Sequence, residues 1–239
     1  MKITLIIFLL MGFTLTAYAQ TPKHTETVRL NGIDTYYEVY GEGPPLIFLH
    51  GGGQSSALWH KYVNDFADNF EVYLVDLLGH GRSSPLQVGM SRQSAHEPFL
   101  NLIDHLQIQQ FSGVGYSLGA AVLLQVAIAN PGRIHRMITV GAGTRFKNER
   151  VDFNVAEEDF KKISTETLIV VGERDNSVGG SYIVSGNTVD RLELVLQLHE
   201  LIPKSHIWIV PNEGHRTFDG PGKPEFVRIA NEFFRGEWE

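Results

Sequence analysis

The sequence predicts an α/β fold, a mostly parallel central sheet with helices on both faces. Three observations carry this prediction. Short apolar runs such as Leu46–Leu49, Val72–Val75 and Leu168–Val171 read as strands buried on both faces, since a parallel strand covered by helices has no polar side to alternate with. Stretches of helical periodicity stand between these runs, which is the pattern of strand–helix–strand units joined by right-handed crossovers. The length, 239 residues, suits one such domain.

Residues 1–19 stand apart. Lys2 precedes the apolar run Ile3–Phe13, and Ala17-Tyr18-Ala19 places small residues where a signal peptidase cuts. A secretory signal peptide is therefore expected over 1–19, with the mature domain over 20–239, exported to a periplasm or outside the cell. The run is shorter than the ~20 residues that span a bilayer, so no stable membrane anchor is expected after cleavage. Cysteine is absent, which excludes disulfides, thiol chemistry and cysteine-borne lipid.

From there the elements follow in order. Thr25–Leu30 and Tyr36–Tyr40 flank Asn31-Gly32 and read as a hairpin. Pro44-Pro45 introduces the strand Leu46–Leu49, which ends at His50-Gly51-Gly52-Gly53. Ser55 or Ser56 can cap a helix to about Asn69, Val72–Val75 is a buried strand, and Asp76–Ser84 is a polar loop punctuated by glycine. Ser91–Leu106 is expected to be helical. The strand Gln110–Val114 precedes Gly115-Tyr116-Ser117-Leu118-Gly119, and the helix Ala120–Asn130 closes at Pro131-Gly132. Strands follow at Met137–Val140, Leu168–Val171 and Ile207–Val210, with helices at Asp190–Ile202 and Pro224–Phe234. In such sheets the site lies at the carboxyl edge of the strands.

Composition narrows the function. At 43% hydrophobic and 20% charged, the chain has the make-up of a soluble globular protein. Its net charge is −7 with no stripe of Lys and Arg, which argues against nucleic acid as a partner.

The pentapeptide Gly115–Gly119 stands where a serine can ride a sharp turn between strand and helix, its hydroxyl lifted clear of the sheet. Glycine on either side lets that turn pack tightly. A serine needs a base, and a base needs an orienting acid. Asp175 follows one strand and His215 the last, giving the order Ser, Asp, His along one sheet edge. Rival histidines are poorly placed: His199 lies within a helix and His206 at the start of a strand. Glu173 and Asp190 are rival acids, the first adjoining its strand and the second placed like a helix cap. Oxyanion donors are expected from the backbone amides of Leu118 and Gly52. No pair of His, Asp or Glu at ligand spacing converges on this site, so neither metal nor other cofactor is expected.

Together these segments resemble the α/β-hydrolase superfamily over about residues 25–236. The resemblance rests on His50-Gly51-Gly52, on Asp76-Leu77-Leu78-Gly79-His80-Gly81-Arg82-Ser83, on Gly115–Gly119, on Gly172-Glu173-Arg174-Asp175 and on Gly214-His215. It implies Ser117 as nucleophile, His215 as base and Asp175 as acid, with His80 and Arg82 structural. Two departures stand out. Many relatives insert a helical cap after the strand matching Met137–Val140, whereas here only Thr144–Glu166 is available, enough for one short helix near Ala156–Ile163. The cap is therefore expected to be minimal or absent and the site open. The Gly- and Ser-rich stretch Asn176–Thr188, with Tyr182, follows the acid and is expected to be a loop beside the site. Tyr116, Leu118, Trp59 and Tyr182 are candidate pocket walls.

The resulting expectation is a secreted serine hydrolase of small-molecule carboxylic esters. Other acyl bonds (amide, thioester, lactone) or a C–C bond remain alternatives, as does a non-catalytic binding protein on the same fold. The sequence does not specify the oligomeric state.

Overall fold

Strand period and layer structure coincide in this molecule. The computed structural model describes residues 20–86, 96–143, 147–148, 151–152, 155–175, 182–184, 187–189 and 191–238. Six strands come first: β1 (His24–Leu30), β2 (Ile33–Tyr40), β3 (Pro45–Leu49), β4 (Glu71–Val75), β5 (Phe111–Tyr116) and β6 (Ile134–Val140). β7 (Lys147–Asn148) and β8 (Val151–Asp152) pair only with each other, and β9 (Glu166–Gly172) returns to the main sheet. β10 (Tyr182–Val184) and β11 (Asn187–Val189) form a second ribbon before β12 (Ser205–Val210). The main sheet has eight strands in the order β1-β2-β4-β3-β5-β6-β9-β12, with the β1 and β2 pairings antiparallel and the rest parallel.

Alternate side chains of each central strand enter different cores. Ile47, Leu49, Ile169 and Val171 pack on one face, whereas Leu46, Phe48, Leu168 and Val170 pack on the other. This is the two-residue period of an extended chain covered on both sides. The first face is covered by α2 (His96–His105), α3 (Leu118–Ala129), α4 (Glu157–Phe160) and α5 (Arg191–Leu201). The second is covered by α1 (Val63–Phe66) and α6 (Lys223–Arg235). In α6 the buried residues Phe226, Ile229, Ala230, Phe233 and Phe234 follow helical spacing, and Gly236 ends the helix at φ 75°, a left-handed cap suited to glycine.

Four elements differ from the sequence expectation, the first being the stretch Asn176–Thr188, expected as a loop, where Tyr182–Val184 instead pairs antiparallel with Asn187–Val189. The helix expected from Ser55 to Asn69 is a 3₁₀ run, Ser56–Tyr62, passing into the single turn α1. Its buried residues Ser56, Trp59 and Tyr62 recur every three positions, and the 3₁₀ helix stacks that spacing on one line against the sheet. The helix expected near Ala156–Ile163 is one turn, α4, anchored by buried Phe160. Together with the β7–β8 ribbon, α4 is all the regular structure described between β6 and β9, so the cap is minimal. The strand before Ser117 runs on to Tyr116 and α3 begins at Leu118, which leaves no loop residue in the turn except the serine. The proposed signal sequence, the first residues of the helix from Ser91, and Asp190 lie outside the described residues. No helix among the described residues is long and apolar enough to cross a membrane.

One buried charge sits in this scaffold, away from the strand ends that carry the site. Glu38 on β2 accepts hydrogen bonds from Tyr36 Oη (2.9 Å) and Tyr40 Oη (2.5 Å), with His60 Nε2 at 2.8 Å and Arg82 Nη1 at 3.4 Å. Burial alone would raise its pKa, but the hydrogen bonds from Tyr40, Tyr36 and His60 outweigh it and hold the carboxyl below its ordinary 4.5. A depressed folded-state pKa contributes stability above that range and loses it as pH falls through the folded value. Thermal unfolding followed from pH 7 into this acid range should show a falling midpoint in the wild type. Glu38→Gln should cost about 2 kcal/mol at neutral pH and flatten that acid decline.

Candidate active site

The turn at Ser117 is held by sterics that the flanking glycines permit. Ser117 has φ 50° and ψ −105°, a conformation that costs any residue with a Cβ. A Cβ on Gly115 would lie 2.6 Å from the Ala120 backbone, and one on Gly119 would drive into the carbonyl of Leu49 on β3. β5 and α3 could not approach so closely with other residues there. The turn is tied to its neighbours by Ser117 N to Val140 O (2.8 Å), on β6, and by Gly119 N to His50 O (3.1 Å). Ser117 thus stands at the carboxyl edge of a central strand.

His50 anchors the glycine loop beside it. The imidazole is fully buried, with Nδ1 2.8 Å from Gly51 O and Nε2 accepting from Leu77 N at 3.0 Å. Burial pushes its pKa down to about 4, and accepting at Nε2 fixes the neutral form with its proton on Nδ1. It is therefore a brace for the loop His50–Gly53. Leu118 opens α3, where the first amides have no carbonyl a turn before them, so its N–H and that of Gly52 on the adjoining loop are the candidate oxyanion donors.

The loop Asp76–Ser83 is structural in the same sense. Buried Asp76 accepts from Ser56 N (2.6 Å) and Arg82 N (2.8 Å), and Ser83 Oγ donates to Asp76 O (2.6 Å). His80 turns Nδ1 to Leu78 O at 3.0 Å, and the Arg82 guanidinium lies 4.0 Å from the centre of the Tyr36 ring.

His215 and Asp175 meet although they are 40 residues apart in sequence. His215 Nδ1 lies 2.8 Å from Asp175 Oδ2, with side-chain exposures of 10% and 1%. Two loops are laced together to achieve this. Arg174 N donates to Glu213 O (2.8 Å), Glu173 N to Val210 O (3.0 Å), and Asn212 N to Glu173 Oε2 (2.8 Å). The rival acid Glu173 thus faces the Asn212 amide at the surface. Downstream, Phe218 is fully buried, and Tyr62 Oη donates to its carbonyl, which fastens the far end of the histidine loop to the core. His199 pairs with Ser205 Oγ (2.8 Å), and His206 lies 3.9 Å from Glu166 at the opposite end of the sheet.

The serine strand and the histidine converge through β6. Val140 O holds the Ser117 amide, and the next residue, Gly141, lies against His215. A Cβ on Gly141 would be 2.7 Å from His215 Cε1 and Nδ1, and its φ is +65°. No motif in the sequence singles out this glycine. A glycine ending the strand beside the serine strand is the available signal. Gly141→Ala should lower turnover by about 30- to 100-fold through displacement of the imidazole, a loss that steady-state kinetics would show in kcat more than in KM.

The candidate pocket walls divide. Tyr116 packs on the His215 ring, with centroids 4.9 Å apart, and Leu118 is buried at the head of α3. Trp59 is a correction: it is fully buried between Phe48 (5.1 Å), Tyr62 (5.3 Å) and Phe218 (4.8 Å), because its 3₁₀ position turns it into the core. For Tyr182 the structure describes only a place in β10; its side chain, and most of the stretch 176–188, lie outside the described residues. Among the described residues no three His, Cys, Asp or Glu gather as a metal-ligand set.

The family model described as alpha/beta hydrolase fold matches residues 44–176, more than half of the 239-residue chain. The chain belongs to the α/β-hydrolase family. Among curated relatives of this α/β hydrolase, the pimeloyl-acyl-carrier-protein methyl ester esterase of Aeromonas hydrophila is 38% identical over 111 residues, covering 46% of this chain and 42% of that esterase. An uncharacterised protein of Mycobacterium tuberculosis is 32% identical over 127 residues, covering 53% of this chain and 37% of that protein. The chain therefore matches less than half the length of these relatives. A meta-cleavage product hydrolase from Pseudomonas fluorescens superimposes with a TM-score of 0.76 over 89% of this chain and 98% of its own, at 22% identity. An N-acyl homoserine lactone degrading enzyme, Est816, superimposes at 0.71 over 88% and 99%, at 20% identity. At such identities the likeness is one of fold.

Proposed function

We propose that this α/β hydrolase is an exported serine hydrolase that cleaves carboxylic esters through an acyl-serine intermediate. The observation that carries the reading is the part-buried His215 Nδ1 to Asp175 Oδ2 contact, 2.8 Å, on the same sheet edge as a serine held in a strained turn. With Nδ1 engaged by Asp175, Nε2 is the nitrogen left to act as base. Ser117 Oγ attacks the ester carbon as its proton passes to His215 Nε2, and the carbonyl oxygen takes the negative charge. The amides of Leu118 and Gly52 hold that charge. His215 then returns the proton to the departing alkoxide as the C–O bond breaks. Water, deprotonated by the same nitrogen, releases the acid and restores the serine. The protein's own groups supply the whole sequence, with no cofactor called on.

A serine at this turn favours acyl transfer over the carboxylate-nucleophile chemistry of dehalogenases and epoxide hydrolases. The methyl ester esterase relative supports the ester reading, and the minimal cap supports an open site for small-molecule esters of varied bulk. Export rests on the signal-like residues 1–19.

Incubating the mature chain with a fluorophosphonate probe, followed by peptide mass mapping, tests the mechanism. A single adduct on the peptide carrying Ser117, together with turnover of nitrophenyl esters, is the expected result. A folded protein that takes no label would move the reading to a ligand-binding role on the same fold.

A further inference from the structure

We infer that Tyr116 is a wedge between the oxyanion loop and the base, so that the backbone of Gly51 helps set the position of His215. The inference rests on the hydrolase reading above. Tyr116 is the last residue of β5 and is 5% exposed. Three neighbours among the described residues bear on its ring. The His215 ring lies 4.9 Å away at 51°, and the Phe218 ring lies 4.9 Å away at 70°. The third neighbour is Gly51, where a Cβ would stand 2.8 Å from both Cδ1 and Cε1 of Tyr116 and 3.0 Å from Oε1 at the flexible end of Gln54.

Of these three, only one can yield. Phe218 is fully buried against Trp59 at 4.8 Å, and the Gly51 backbone is tied through His50, whose carbonyl takes the Gly119 amide. His215 alone stands outside the close-packed core. A push on the Tyr116 ring from residue 51 therefore passes to the imidazole. The imidazole needs such a stop. Its contact with Asp175 fixes one atom, Nδ1, and leaves the ring free to swing about that point. The Tyr116 ring bounds one side of this swing and Gly141 bounds another, at the Cε1–Nδ1 edge. Nε2 is thereby kept aimed at the serine. Because Gly51 adjoins Gly52, the base and one oxyanion donor share a single spacer. Tyr116 is thus a positioning residue, acting through His215.

A double-mutant cycle between Gly51→Ala and Tyr116→Val tests this. Valine removes the two ring carbons that the new methyl would meet and suits a strand end. Gly51→Ala alone is expected to lower kcat by about 30- to 100-fold with KM changed less than about 3-fold. Tyr116→Val alone lowers kcat similarly, and Tyr116→Phe, which keeps the ring, recovers most of that loss. In the Tyr116→Val background, adding Gly51→Ala should cost less than about 3-fold, because the ring carbons have gone and the Gln54 amide, the flexible end of its side chain, can give way. A second reading is the low-field proton resonance of the His215–Asp175 hydrogen bond, which Gly51→Ala should shift through the Tyr116 ring.

Multiplying effects in the double variant, or an unmoved low-field resonance in Gly51→Ala, would overturn the wedge while fluorophosphonate labelling of the wild type left the hydrolase reading standing. A folded wild type that takes no label overturns both. Should Gly51→Ala not fold, Tyr116→Val decides alone: an unmoved resonance, or a kcat loss that Tyr116→Phe does not recover, overturns the inference.

Discussion

Ser117→Ala is expected to reduce ester turnover by at least about 10⁴-fold while the protein remains folded. The size follows from what is lost: without Oγ no acyl-serine can form, and only binding and the oxyanion amides remain to act on the carbonyl. The fold should persist because the turn is built by its neighbours. Gly115 admits Ala120, Gly119 admits Leu49, and the amides of residues 117 and 119 bond to Val140 O and His50 O whatever side chain stands at 117. Stability gives an independent reading of the same site. At φ 50° and ψ −105° alanine suffers the same Cβ crowding as serine, whereas glycine does not. Ser117→Gly should therefore melt about 2–4 °C above Ser117→Ala, the shift that about 1 kcal/mol of relieved strain produces in a chain of this size. Turnover in Ser117→Ala within about tenfold of wild type would place the chemistry on another residue.

What the sequence discloses about this site, and what it withholds, follows from how local each feature is. The serine turn is local: strand, Gly-Tyr-Ser-Leu-Gly and helix are contiguous, so Gly115–Gly119 could be read directly. The parallel sheet was legible for a similar reason, since Leu46–Leu49, Val72–Val75 and Leu168–Val171 each carry both faces of the layer in four residues. The 3₁₀ form of Ser56–Tyr62 was not legible. Helical propensity is blind to whether Trp59 and Tyr62 are best stacked at spacing three or staggered around a wider helix, and the aromatic packing against Phe48 and Phe218 decides it. The same packing drew Trp59 from the expected pocket wall into the core. Gly141 could be seen only as a glycine ending a strand, because its constraint comes from His215, 74 residues away, reaching it only after β6 and the histidine loop have met. Tyr116 lies between these cases. Its place before the serine was plain, but its contact with both Gly51 and His215 depends on three strand ends converging.

Asp175→Asn is the second large expected effect, a loss of about 10³- to 10⁴-fold in kcat with KM little changed. Asp175 is 3% exposed, and its Oδ2 stands 2.8 Å from His215 Nδ1. A carboxylate there can only accept, so in the proposed mechanism it selects the tautomer that leaves Nε2 unprotonated and ready to take the serine proton. It also supports the imidazolium formed when that proton arrives. An asparagine keeps the shape but offers an N–H₂ as readily as an oxygen, and no charge. The comparison that gives this prediction its edge is Glu173→Gln, two residues away. Glu173 spends Oε2 on the exposed Asn212 amide, a contact that glutamine can keep through its own carbonyl oxygen, so its loss should change kcat by less than about 5-fold. The two substitutions remove the same formal charge from the same loop. A contrast of several hundredfold between them would mean that hydrogen bonding to His215, and not the loop's net charge, carries the effect. Equal losses would mean that the loop's field matters more than the contact, and the acid would then have to be sought elsewhere on the sheet edge.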